Sequence, residues 1–348
     1  MKKFFALLLC ACMIFAAVAC NTQDKNEAVE ADYKLGMGIV VSMDSSKTGN
    51  AQVDATVATV VTDAEGKIVA CRIDVAQNKM NVADGAVETA KTFETKMELG
   101  SRYGMEGKVD NDGNGIKLEW DAQAKAFETY CVGKTATEIG AMELQEAGGH
   151  MIAVDQALLD AGCSMQITDF IAAVVKACND EQGMAFKAVA GTFTLGVAAK
   201  TTAAESVAAT AETDGTVKMY SDFAAAVVVD GKIVAALNDA IQPNITINAA
   251  GEIVEKSFKA TKRELKEEYG MAGKVDNNGD GIKLEWYVQS EAFSKYVVGK
   301  TATEVAGMKT QFVNGHNISV DEALLSAGCT IQIPAICAVM AQAANNAR

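Results

Sequence analysis

Apolar and polar positions along this chain fall into two regimes that recur once. Over residues 51–63 and 67–75 apolar and β-branched residues alternate or run together, split by Asp63-Ala64-Glu65-Gly66. That pattern predicts two strands joined by a hairpin. Residues 224–229 and 232–237, around Asp230-Gly231, read the same way. Helices are predicted over 87–103 and 119–130, and again over 253–269 and 285–296. Thr135-x-x-Glu138 and Thr301-x-x-Glu304 are capping boxes, so a helix is predicted to start after each. Each unit then closes with a short predicted strand, 165–167 or 331–333. A small-residue helix follows, opened by Thr168-Asp169 or by Pro334. The fold class is α+β.

Self-comparison explains the recurrence. Residues 103–120 read YGMEGKVDNDGNGIKLEW, and residues 269–286 read YGMAGKVDNNGDGIKLEW. VGKTATEIGAM at 132–142 returns as VGKTATEVAGM at 298–308, and DQALLDAGCS at 155–164 as DEALLSAGCT at 321–330. All three pairs are displaced by 166 positions, which duplication explains and chance does not. Upstream the match is looser, with Lys34-Leu35-Gly36 facing Thr194-Leu195-Gly196. The repeat domains are placed at 33–180 and 192–346, with a short join between them. At 348 residues the chain is long enough for two domains, each expected to have its own core.

The N-terminus stands apart from this pattern. Lys2 and Lys3 precede an apolar run over 4–18, short for a permanent membrane span. The run ends in Ala17-Val18-Ala19-Cys20, which resembles a bacterial lipobox. Residues 1–19 are therefore expected to be a lipoprotein signal peptide, Cys20 the lipidated residue, and 20–32 a polar tether. The implied location is the outer face of the cell membrane, held by acyl chains alone. The net charge of −14 becomes −16 once Lys2 and Lys3 are removed, which argues against nucleic acid as a partner. Beyond Cys20 lie Cys71, Cys131, Cys163, Cys178, Cys329 and Cys337. Only Cys163 and Cys329 match between units, so buried free thiols are expected for most of them rather than a disulfide framework.

Three duplicated features carry candidate chemistry. The first is Ala161-Gly162-Cys163-Ser164 with its copy Ala327-Gly328-Cys329-Thr330, where a hydroxyl residue follows a small, glycine-containing turn. Read by spacing alone, it is also a plain helix-to-strand turn. The second opens like an EF-hand loop, D-x-[DN]-x-[DN]-G: Asp110, Asp112 and Asn114, copied as Asp276, Asn278 and Asp280. Position twelve is Asp121 or Tyr287 instead of Glu, so calcium competes with a polar turn. The third is His150 and His316, the chain's two histidines, read as solvated turn residues. Lys134-Thr135 and Lys300-Thr301 lack the rest of a phosphate-binding loop and read as helix caps. Trp120, Trp286, Tyr103 and Tyr269 read as core anchors. Two histidines and no G-x-S-x-G leave little for a hydrolase.

The whole plan resembles a known family. The lipobox, the polar tether and the two repeats share it, as do Asp74-Val75-Ala76-Gln77, the Tyr-Gly-Met and Glu-Trp segments and the Val-Gly-Lys-Thr turns. All are similar to the PplA-like FMN-bearing lipoproteins of Gram-positive extracellular electron transfer. The resemblance implies that a flavin transferase joins FMN through its phosphate to a hydroxyl in each repeat. The acceptors carried over are Ser164 and Thr330, giving up to two covalent FMN groups per chain. This sequence has Ala161 and Ala327 where that pattern has Ser or Thr, and Cys163 and Cys329 where it has Ala. The implied function is an electron carrier rather than an enzyme with its own substrate. Its implied partners are a membrane quinol-linked donor and extracellular acceptors such as iron or free flavins. The competing reading is a non-redox surface lipoprotein whose duplicated domains bind calcium or another ligand.

Overall fold

The computed structural model describes residues 29–108, 116–274 and 282–348 and has an α+β fold. β1 (Glu30–Ser42), β2 (Asn50–Asp63) and β3 (Ile68–Asn81) form an antiparallel meander. Asp63 closes its second hairpin, its Oδ1 accepting the N–H groups of Glu65 and Lys67 at 3.1 and 2.8 Å. Then come α1 (Lys96–Leu99), α2 (Trp120–Cys131) and α3 (Ala136–Gly140). The hairpin β4 (Leu144–Ala147) and β5 (His150–Ala153) precedes α4 (Gln156–Asp160) and α5 (Thr168–Cys178).

After β6 (Met184–Val189) the second half follows a related order. Its strands are β7 (Thr194–Thr202), β8 (Gly215–Val217), β9 (Tyr220–Val229), β10 (Lys232–Ile241), β11 (Asn244–Ile247) and β12 (Ile253–Ser257). Then come α6 (Lys262–Leu265), α7 (Trp286–Tyr296) and α8 (Ala302–Ala306). The hairpin β13 (Thr310–Val313) and β14 (His316–Ser319) leads to α9 (Glu322–Ser326) and α10 (Pro334–Asn345).

Two sheets, ordered β3-β2-β1-β6 and β10-β9-β7, form the centre. Strands buried on both faces read as near-continuous apolar runs. In β7, Val197 and Ala199 enter one core while Ala198 between them enters another. The inner faces stack on each other: Leu35, Val57, Leu195, Phe223 and Leu237 belong to one core built from both halves. α5 covers the outer face of the first sheet and α10 that of the second. Each half therefore has an outer core of its own, but the central core is shared, which separate domains would not have. Close helix packing explains the Leu-Gly pairs. A Cβ on Gly36 would lie 2.0 Å from the Ala177 carbonyl oxygen, and one on Gly196 would lie 1.9 Å from that of Ala343.

Charged pairs also cross between the halves. Arg263 meets Asp180 at 3.1 Å with both side chains under 10% exposed. Arg348 meets the buried Glu128 at 2.9 Å.

Three expectations need correction. The helices predicted over 87–103 and 253–269 lose their N-terminal parts: each is one α-turn followed by a 3-10 turn, Gly100–Tyr103 or Lys266–Tyr269, because the capping boxes of Thr95 and Thr261 start only there. Residues 253–257 of that span form β12, paired with β11. The strands predicted at 165–167 and 331–333 are absent; each segment makes one backbone bond to the neighbouring hairpin, from Ile167 to Met151 and from Ile333 to Asn317. The supposed join supplies β6, which pairs with β1 from Glu30↔Val189 to Leu35↔Met184. Among the described residues no helix is long and apolar enough to cross a membrane.

Candidate functional site

The duplicated Ala-Gly-Cys-Ser/Thr segment is the C-terminal cap of a five-residue helix. Asp155 opens α4 by accepting the Ala157 N–H at 2.8 Å, and Asp321 opens α9 at 2.9 Å to Ala323. The helix ends as a Schellman motif. Gly162 N–H bonds the Leu159 carbonyl at 2.9 Å and Cys163 N–H that of Leu158 at 3.2 Å; Gly328 and Cys329 repeat both bonds at 3.0 and 3.2 Å. Glycine is required at the left-handed position, where φ is +95° at Gly162 and +97° at Gly328. A Cβ there would also lie 2.3 Å from a Leu118 methyl, or 2.4 Å from that of Leu284.

The next residue is the apolar partner this motif needs. Cys163 and Cys329 are fully buried, with Leu158 and Leu324 in the same cores. Burial pushes both thiols up to about 12. They act as small apolar side chains. All six described cysteines are free.

Ser164 and Thr330 emerge directly after that anchor, exposed at the surface. Each is held from beneath by a glutamine on the preceding long helix. Gln123 and Gln289 are both 1% exposed. Gln123 Oε1 accepts the Ser164 N–H at 3.0 Å; Gln289 Oε1 accepts the Thr330 N–H at 2.8 Å and the Thr330 hydroxyl at 3.1 Å. The other end of each carboxamide donates to a carbonyl, Leu118 or Leu284, at 2.9 Å in both halves. Rotating either amide by 180° would set oxygen against oxygen and N–H against N–H, so the orientation is fixed. These glutamines were not singled out from the sequence, though the signal was there. Residues 121–130 (DAQAKAFETY) and 287–296 (YVQSEAFSKY) keep the glutamine while its neighbours change.

The surrounding groups are duplicated too. Tyr130 O–H donates to Asp155 at 2.6 Å, and Tyr296 likewise to Asp321. Burial and then the neighbouring carboxylate push both phenols up to about 12. The hydrogen bond from tyrosine holds both carboxyls below their ordinary range. Lys134 stands 3.8 Å over the Tyr130 ring and Lys300 4.1 Å over that of Tyr296. Thr135 and Thr301 form complete capping boxes, as their spacing predicted. Trp120 and Trp286 are buried, 3% and 4% exposed, so they are core anchors. Lys96 and Lys262 lie over their rings at 5.3 and 5.2 Å. His150 and His316 are exposed and follow two-residue hairpin turns, Gly148-Gly149 and Asn314-Gly315, whose four φ values are all positive.

A groove of about 370 Å³ runs along α7 beside the second turn, lined by Val288, Glu291, Ala292, Lys295, Tyr296 and Ala327. It offers an apolar floor, an aromatic edge and the Glu291–Lys295 ion pair at 2.5 Å, with Ala327 three residues before Thr330 in sequence. An apolar floor with an aromatic edge suits a flat ring.

Two sets of expected residues lie outside the described residues: Cys20, and the loop residues Asp110, Asp112, Asn114, Asp276, Asn278 and Asp280. The loops' flanks are paired. Gly107 and Ile116 bond at 2.8 Å, and Gly273 and Ile282 at 2.7 Å. Among the described residues no cluster of His, Cys, Asp or Glu could hold a metal ion.

Comparison of the chain with protein-family models, with curated proteins and with solved structures finds no match.

Proposed function

We propose that this chain is a PplA-like surface lipoprotein that carries FMN esterified to Ser164 and Thr330 and relays electrons outside the cell. One observation carries the reading. In both halves an exposed hydroxyl follows a rigid glycine cap and has its backbone N–H tied to a buried glutamine. An acceptor for a modifying enzyme has to be accessible and held still, and few surface residues are both.

The chain's own residues supply the seat. The Schellman turn fixes the backbone at each acceptor. The groove beside Ala327 would offer the ring an apolar surface with the Tyr296 edge beside it. FMN, once attached, supplies electron transfer that no side chain here provides. An exported carrier gains from covalent attachment because a loosely held flavin diffuses away. Attachment is the work of a flavin transferase, so this chain needs no catalytic triad. The lipid on Cys20 would hold the carrier at the membrane, within reach of a quinol-linked donor. Iron or free flavins would take the electrons outside.

Intact mass after co-expression with a flavin transferase tests the reading. Wild type should gain two FMN groups, Ser164→Ala and Thr330→Ala one each, and the double variant none. A wild type of unmodified mass contradicts it and leaves a colourless surface-binding lipoprotein, for which a calcium-dependent melting temperature is the next measurement.

A further inference from the structure

We infer that Gln123 and Gln289 are positioning residues for the two acceptor hydroxyls, and that the second contact made by Gln289 makes Thr330 the faster acceptor. The inference rests on the flavin-carrier reading above.

A glutamine oxygen has two lone pairs. In the second half, the Gln289 oxygen binds both the N–H and the O–H of Thr330, at 2.8 and 3.1 Å. In the first half, the Gln123 oxygen binds the Ser164 N–H alone, at 3.0 Å. The other end of each amide is anchored alike, on Leu118 or Leu284 at 2.9 Å and on the sulfur of Met105 or Met271 at 3.7 Å. The two anchors are thus equivalent, and the difference lies at the acceptor. Thr330 is β-branched, which restricts χ1, whereas Ser164 turns freely among its rotamers. One hydroxyl is held in place, and the other must be caught.

The step served is a phosphoryl transfer. Thr330 Oγ1 attacks the flavin-side phosphorus of a flavin dinucleotide. The new O–P bond forms, the diphosphate P–O bond breaks, and a nucleoside monophosphate leaves. The hydroxyl proton passes to a base on the transferase, because a carboxamide oxygen is far too weak a base to take it. Gln289 therefore contributes geometry, which in such steps controls rate.

The test follows both sites in one chain with limiting transferase and flavin dinucleotide, by peptide mapping over time. In wild type Thr330 should fill before Ser164. Gln289→Met keeps the side chain's size and removes the acceptor oxygen; it should slow Thr330 by roughly tenfold or more and leave Ser164, the internal reference, unchanged. Ser164→Thr changes only an exposed position and should speed the first site. Equal filling of the two wild-type sites overturns the inference, as does a Gln289→Met protein whose Thr330 fills at the wild-type rate. If Gln289→Met slows both sites together, folding has failed, and Ser164→Thr decides: no gain there overturns the inference. A wild type that fills neither site removes the carrier reading, and this inference with it.

Discussion

At the scale of single residues, the candidate site is a problem in backbone geometry. Gly328 must be glycine twice over, for its φ of +97° and for the Leu284 methyl 2.4 Å from any Cβ. Gly328→Ala should therefore cost about 1–3 kcal/mol, read from chemical denaturation, with its counterpart Gly162→Ala similar. The two thiols beside these glycines make a second prediction. With burial pushing Cys163 and Cys329 up to about 12, neither should react with iodoacetamide at pH 8 in native protein, and both should react once it is unfolded. Much of this site was legible in the sequence. The 166-residue displacement alone marks Ser164 and Thr330 as equivalent, and it marks Cys163 and Cys329 as the only matched thiols. The glutamines escaped because a polar residue at helical spacing reads as surface. Only the fold places Gln123 and Gln289 beneath a turn 41 residues further along the chain.

At the scale of elements, caps and buried carboxyls set the boundaries. Thr301 accepts the Glu304 N–H at 3.2 Å, and the Glu304 carboxylate returns to the Thr301 N–H at 2.7 Å. Thr301→Ala should cost about 1 kcal/mol, seen as a lower denaturation midpoint. Asp74 receives the N–H groups of Val75 and Met97 at 2.7 and 3.1 Å and so pins the start of α1. Burial pushes its carboxyl up to about 6. The unfolded carboxyl ionises near its ordinary value of ~3.9. Between those two values the unfolded chain loses its proton first, so this contribution is full below about pH 4 and is lost as pH rises through about 6. Asp74→Asn keeps an acceptor oxygen and should be more stable at pH 7 by up to roughly 3 kcal/mol, with a flatter stability profile from pH 4 to 6. Strands split by clear turn residues, such as β2 and β3 around Asp63 to Gly66, were read from pattern at their hairpin ends, though β3 runs on six residues past its expected end, to Asn81. The helix expected over 253–269 lost its N-terminal part because residues 253–257 find a ladder on β11, a tertiary outcome that local spacing does not encode.

At the scale of the whole molecule, duplication has not produced two independent bodies. Phe223, Leu195 and Leu237 of one half pack with Leu35, Met37 and Val57 of the other in a single core. The full chain should unfold in one cooperative transition. A fragment spanning 29–191 should expose that inner face and bind a hydrophobic dye, rather than melt as a native domain. The Asp180–Arg263 pair ties the same seam. Arg263→Ala strands a buried carboxylate and should cost about 3–5 kcal/mol by denaturation. Sequence periodicity showed the duplication but not this seam, because an apolar strand looks the same whether its second face meets a helix or another sheet.

The proposed function stands on a covalent bond between two surface hydroxyls and flavin phosphate. It is tested most directly on protein purified from its own host, denatured, passed through gel filtration and digested. Flavin absorbance should travel with the unfolded chain, and the flavin-bearing peptides should be those containing Ser164 and Thr330. A colourless polypeptide, or flavin that elutes separately as a free small molecule, would contradict it.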